Sequence, residues 1–175
     1  MDRRRTIFLA STVFALGFDQ LSKVWARHVL LPIYPRVVTV IPRVWEFRYS
    51  ENPGAAFGLL RNIPHAHLLF VPIALAIAIG AFIYLKRAEL RRPTRVAIEL
   101  GLIVGGALGN AFDRVSHGAV IDFINYQVPG IISNVSNLAD HAIVLGVLII
   151  VAQSWRADAT KDAAEAETSG NENHS

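Results

Sequence analysis

The chain has 175 residues, 53% of them apolar and 18% charged, with no cysteine and a net charge of +3. Its mean hydropathy is +0.38; soluble domains carry closer to a quarter charged residues, so part of the apolar surface is expected to face lipid. The length excludes a large multi-domain enzyme, the missing cysteines exclude disulfides, thiol nucleophiles and thiolate-bound metals, and basic residues clustered between apolar runs argue against nucleic acid.

Ile7–Phe18 is an unbroken run of apolar or small residues, and its helical pattern continues through Asp19 to Trp25. Arg3, Arg4 and Arg5 before it would suit a signal peptide, but Phe18-Asp19-Gln20 follows in place of a small-x-small cleavage site, so a retained first helix is expected. Asp19 and Lys23 lie four apart on one face, acid first, the favourable order for an ion pair. They either neutralise each other at the helix end or belong to a site.

The link from about residue 30 to 61 is too long for a passive turn. Val37–Ile41 reads as a strand. Val44–Tyr49 alternates, with Trp45, Phe47 and Tyr49 on one face and Glu46 and Arg48 on the other. Pro42 and Asn52-Pro53-Gly54 punctuate the segment. A small sheet with an aromatic face suits a membrane interface; an ordinary half-buried hairpin has the same periodicity.

Leu68–Leu85 carries no charge and is long enough to cross a hydrocarbon core. Lys86, Arg87, Arg91, Arg92 and Arg95 crowd the short link after it. Val96–Phe112 is the third run, interrupted by Glu99 and Asn110. Its Gly101, Gly105 and Gly109 form small-xxx-small steps that favour close helix packing. Arg114, past its end, is either an interface anchor or a planar fork for carbonyls or a carboxylate. Val115–Asn137 contains no Lys or Arg, and Leu138–Ala152 is the fourth run, with Asp140 and His141 in its first turn. The tail, residues 156–175, lacks apolar periodicity and is expected to be disordered.

These elements make an α-helical integral membrane protein: one domain over residues 1–155 with four transmembrane helices, a small strand element in the first extracytoplasmic link, and a cytoplasmic tail. The basic residues at 3–5 and 86–95 place both termini in the cytoplasm. Asp19, Asn52, Asn110, Arg114, Asp122 and Asp140 then converge on the outer membrane face. Ionisable groups in such positions are costly and suggest function.

Asp122 is embedded in Val120-Ile121-Asp122-Phe123-Ile124, and Asp140 closes Asn137-Leu138-Ala139-Asp140. Two adjoining carboxylates share one proton, so one can activate water while the other donates. The plain alternative is that each acid caps a helix or pairs with Arg114. Other chemistries fit poorly: there is no HExxH, Ser22 and Lys23 diverge as helical neighbours, and no GxSxG is present.

Five stretches together resemble the lipoprotein signal peptidase family, also called signal peptidase II. They are Asp19-Gln20-Leu21-Ser22-Lys23, Asn52-Pro53-Gly54-Ala55-Ala56-Phe57-Gly58, Gly105 to Arg114, Val120-Ile121-Asp122-Phe123, and Asn137 to Ile143. They run in the family's order over roughly residues 7–152. Ser136 and His141 depart from it, standing where an aromatic and a small hydroxyl residue are usual. The resemblance implies an aspartic endopeptidase of the bacterial cytoplasmic membrane that cuts diacylglyceryl-modified prolipoproteins just before the lipidated cysteine. It implies Asp122 and Asp140 as the catalytic pair, with Asn52, Gly54, Asn110, Arg114 and Asn137 binding substrate or supporting the pair. Asp19 and Lys23 match positions at the outer end of the first helix. No metal or cofactor is expected, and the partners are prolipoprotein substrates and membrane lipid, with the protein a monomer. The rival reading is a small proton-coupled transporter or channel using outer-face carboxylates; against it, the acids gather at one face and no half-repeats occur. A purely structural adaptor would leave the costly polar residues unexplained.

Overall fold

In a computed structural model of the chain, the described residues are 3–54, 65–87, 94–128 and 132–172. The described residues contain four α-helices, α1 (Arg3–Val29), α2 (Phe70–Arg87), α3 (Arg95–His117) and α4 (Leu138–Glu172), with one pair of strands between α1 and α2 and another between α3 and α4. The strands are β1 (Val37–Ile41), β2 (Trp45–Asn52), β3 (Val120–Val128) and β4 (Ile132–Ser136). All four helices contain stretches long and apolar enough to cross a membrane, matching the expected four spans. Residues 55–58 of the second motif, together with Arg61, Arg91 and Arg92, lie outside the described residues.

Helix α3 is the axis of the bundle: α1, α2 and α4 all pack on it. Of its apolar stretch 61% is buried, against 28%, 17% and 11% for α1, α2 and α4. The other three therefore carry most of the lipid-facing surface, including Phe14, Phe18 and Leu21 on α1 and Leu148 on α4. The glycines expected for packing face α1. A Cβ on Gly105 would lie 2.6 Å from the Thr12 carbonyl oxygen, and one on Gly109 would lie 2.5 Å from Asp19 Oδ2. Neighbouring Gly106 faces Ala139 at the start of α4. Small residues thus let the backbones of α1 and α4 close on α3 where side chains would hold them apart.

Polar groups within the spans satisfy themselves locally. Thr12 Oγ1 donates to the Phe8 carbonyl at 2.8 Å, and buried Glu99 accepts from Gln153 across the α3–α4 contact. In hydrocarbon, where water is unavailable, such pairing is the condition for keeping polar groups.

The sheet is antiparallel with order β1-β2-β3-β4. β1 has the expected bounds, and the alternating segment continues from Trp45 to Asn52 as β2. Tyr49 is buried, and Trp45 and Phe47 pack against Ala26, Leu30, Ile121 and Phe123, so the aromatic face covers the end of α1. Half of the sheet was not anticipated: β3 and β4, in the segment between α3 and α4, complete it by pairing β3 with β2. The apolar stretch around Asp122 is therefore a buried strand. Its lack of alternation follows from burial on both faces.

The backbone of α4 continues as helix to Glu172, because Ala, Glu and Lys propagate a helix once preceding residues have nucleated it.

Candidate active site

β3, the first turn of α4 and the ends of α1 and α3 meet beneath the sheet. Asp122, 3% exposed, points into this junction from β3, and Asp140 enters it from the first turn of α4. Asn137 joins them. Its Nδ2 donates to Asp122 Oδ1 at 2.6 Å, while its Oδ1 accepts the Asp140 backbone N–H at 3.0 Å. Asn137 is thus the N-cap of α4 as well as the bridge between the acids.

Three asparagines hold the two carboxylates, and each is oriented by a group that can only donate. Asn52 Oδ1 accepts the Gly54 N–H at 3.0 Å, so its Nδ2 faces Asp122 Oδ2 at 3.1 Å. Asn137 is held by the Asp140 N–H as described. Asn110 Oδ1 accepts Lys23 Nζ at 3.2 Å, so its Nδ2 donates to Asp140 Oδ1 at 2.8 Å. A flipped amide in any of them would set a carbonyl oxygen against a carboxylate oxygen and an NH2 against an N–H or ammonium. The acids are therefore surrounded by N–H donors of settled direction.

Beneath them lies a buried charge cluster. Lys23 Nζ reaches Asp19 Oδ2 at 2.7 Å, Asp113 Oδ2 at 2.8 Å and Asn110 Oδ1, three acceptors for its three protons. Asp19 Oδ1 accepts the Ala139 N–H at 2.9 Å, tying α1 to the turn that carries Asp140. Asp113 Oδ2 accepts the Ile121 N–H at 3.1 Å, tying α3 to the strand that carries Asp122. Gln20 bridges Asp19 and Asp113 at 3.1 and 3.0 Å. Neither Gln20 nor Asp113 was singled out as a site residue. Their signal is present in hindsight: Gln20 adjoins Asp19, and Asp113 lies one helical step beyond Asn110.

Arg114 closes the other side. Its Nη1 donates to the Asn110 carbonyl at 3.0 Å, and its guanidinium carbon lies 4.4 Å from the centre of the Phe70 ring. Among the described residues its buried Nε has no hydrogen-bond partner. Among the described residues Asp113 pairs with Lys23 and not with Arg114, so the simple Asp113–Arg114 ion pair is not formed. Gly54, at φ +82, lies against Phe70, and a Cβ there would come within 2.9 Å of that ring. Glycine therefore serves both the left-handed backbone and the close approach.

All nine residues expected at the site fall into this one connected region. Asp122 is the titratable group with the clearest perturbation outside the spans. Burial, augmented by the Asp140 charge, pushes its carboxyl up to about 6, although the Asn52 and Asn137 N–H groups and Lys23 act the other way.

The sequence profile of the family described as signal peptidase (SPase) II matches residues 11–156. This chain belongs to the signal peptidase II family. Among other members, a lipoprotein signal peptidase of Clostridioides difficile is 33% identical over 144 residues, covering 82% of this chain and 91% of its own. One of Pelotomaculum thermopropionicum is 41% identical over 132 residues, covering 75% and 80%. A bacterial membrane enzyme solved by the in meso method at 2.3 Å superposes with a TM-score of 0.72 at 27% identity, covering 88% of this chain and 90% of that one. A second, at 1.9 Å, gives 0.69 at 28% identity, covering 83% and 90%. As a signal peptidase II the chain is a peptidase of bacterial membranes, and the transporter reading has no support.

Proposed function

We propose that this protein removes signal peptides from diacylglyceryl-modified prolipoproteins by aspartic catalysis, with Asp122 and Asp140 as the acting pair. The observation that carries the mechanism is Asn137: one amide links two carboxylates from different elements, one of them titrating near 6. Asp122, more deeply buried, holds the proton. Asp140 serves as the base from the first turn of α4, where the helix dipole favours an anion. Asp140 takes a proton from a water whose oxygen attacks the scissile carbonyl carbon, while Asp122 protonates the carbonyl oxygen. Collapse of the tetrahedral diol breaks the C–N bond: the leaving cysteine amine takes a proton from Asp140, and one diol hydroxyl returns its proton to Asp122 as the new carboxyl group forms, restoring both acids. The diacylglyceryl chains remain in lipid while the peptide enters beneath the sheet. The protein acts as a monomer, in the bacterial cytoplasmic membrane, over residues 1–155, with the site at the outer leaflet and both termini inside. Cleavage of a lipidated precursor in detergent, absent in the Asp122→Asn protein, tests the reaction. For orientation, a reporter fused after Lys86 is expected to stay cytoplasmic and one near Gly118 to be exported; the reverse overturns the outer site.

The pH dependence has a definite sign. The free enzyme needs the Asp122 proton, so kcat/KM falls as pH rises through about 6, approaching about ten-fold per unit above that limb. Because the folded value lies above the unfolded one of 3.8, the proton also stabilises the fold. That stabilisation is complete below the unfolded value and lost as pH rises through about 6. A pH–rate profile with a matching series of melts checks both, and Asp122→Asn should remove this component of the melt.

Arg114 is proposed to fork onto substrate carbonyls, its Nε, unpartnered among the described residues, being the donor in reserve. Lys retains the charge but not the planar multi-donor geometry. Arg114→Lys should hold stability within about 1 kcal/mol yet lower turnover about ten-fold or more, equivalent to roughly 1.4 kcal/mol. Surviving activity with a lowered melt would make Arg114 an anchor only.

A further inference from the structure

β1 is an edge strand, and its apolar side chains stay uncovered. Val38 pairs with Phe47, and cross-strand partners share a face. Phe47 packs edge-on against Trp25 of α1, so Val38 points to the helix side of the sheet. Yet Val38 is 41% exposed, and Val40, Ile41 and Val44 are exposed beside it. On the α1 surface next to this overhang, Phe18, Leu21, Val24 and Trp25 are exposed as well. The exposed apolar residues of α1 thus extend to Trp25, which meets the sheet at Phe47, the partner of Val38.

An arginine stands at each end of this strand, and both have a left-handed backbone: Arg36 at φ 67 and Arg43 at φ 63. Arg43 occupies the third position of the turn Ile41–Val44, which is closed by the Val44 N–H on the Ile41 carbonyl at 3.1 Å. With proline before it, that position favours glycine. Arginine there costs backbone free energy that glycine would not, so the side chain is the reason for its presence. Both guanidiniums are exposed. Among the described residues neither guanidinium has a hydrogen bond or ion pair, whereas that of Arg48 is held by Glu46 at 2.8 Å.

We propose that β1 and its turn form a docking surface for anionic phospholipid of the leaflet that meets the sheet end of the bundle. The valine and isoleucine side chains rest on the acyl boundary, and Arg36 and Arg43 take phosphate oxygens, for which the planar guanidinium is suited. This inference stands apart from the catalytic assignment.

The test uses the full chain in nanodiscs of phosphatidylcholine alone or mixed with phosphatidylglycerol, with amide hydrogen exchange read at residues 37–44. Arg36→Gly/Arg43→Gly is the informative variant, because glycine relieves both backbones and the fold should persist. The wild type is expected to show slower exchange with phosphatidylglycerol, an effect lost at high salt. Each arginine removed should raise the phosphatidylglycerol needed about five-fold. Equal exchange in the two lipids, or an undiminished lipid dependence in the glycine variant, overturns the proposal. A protection that appears only when an acidic precursor peptide is added would assign the surface to substrate and overturn it equally.

Discussion

Replacing either Asp122 or Asp140 by Asn should lower kcat/KM for a lipidated precursor by about a thousand-fold or more, the range expected when a positioned acid or base is lost. The double replacement should cost little beyond either single one, because the two act as one unit. The fold should survive. In Asp122→Asn the new amide oxygen can keep the short bond from Asn137, while its NH2 meets the Asn52 NH2. That mismatch costs about 1–3 kcal/mol, set against relief from burying a charge in a site that is only 3% exposed. Single-turnover cleavage and thermal melts on the same preparations measure both quantities. Substantial turnover in either single variant would sink the paired mechanism.

Lys23→Met should have the largest effect on stability. The ammonium is shared by Asp19 and Asp113, whose side chains are 0% and 1% exposed. Removing it strands two buried carboxylates, a change that costs about 3–5 kcal/mol when a buried pair is broken. Cleavage should fall too, since Asn110 loses one of the two donors on its Oδ1, leaving that oxygen, and so the Nδ2 that serves Asp140, held by Asn137 Nδ2 at 3.2 Å. Adding Asp19→Asn and Asp113→Asn to Lys23→Met should recover much of the melt, because the uncompensated charge is gone, but little of the cleavage. A Lys23→Met protein that melts like the wild type would show that the cluster is hydrated.

Hydropathy and spacing along the chain determined the four spans, the bounds of β1 and the aromatic face of β2. Each is a local matter of length or period, which neighbouring residues report by themselves. The acids were legible as costly residues, and their pairing through the family resemblance. The sheet's other half was hidden because β3, buried on both faces, carries no alternation, and a short apolar run reads alike as strand or helix. The roles of Gln20 and Asp113 were hidden for another reason. A buried carboxylate looks the same in sequence whether it meets Arg114 next to it or Lys23 on another helix. Only the close approach of α1 to the glycines of α3 made Lys23 the partner. The direction of the three asparagine amides likewise depends on Gly54, Asp140 and Lys23 arriving at set distances. Hydrogen-bond direction is decided by packing between elements, and packing is a property of the folded chain alone.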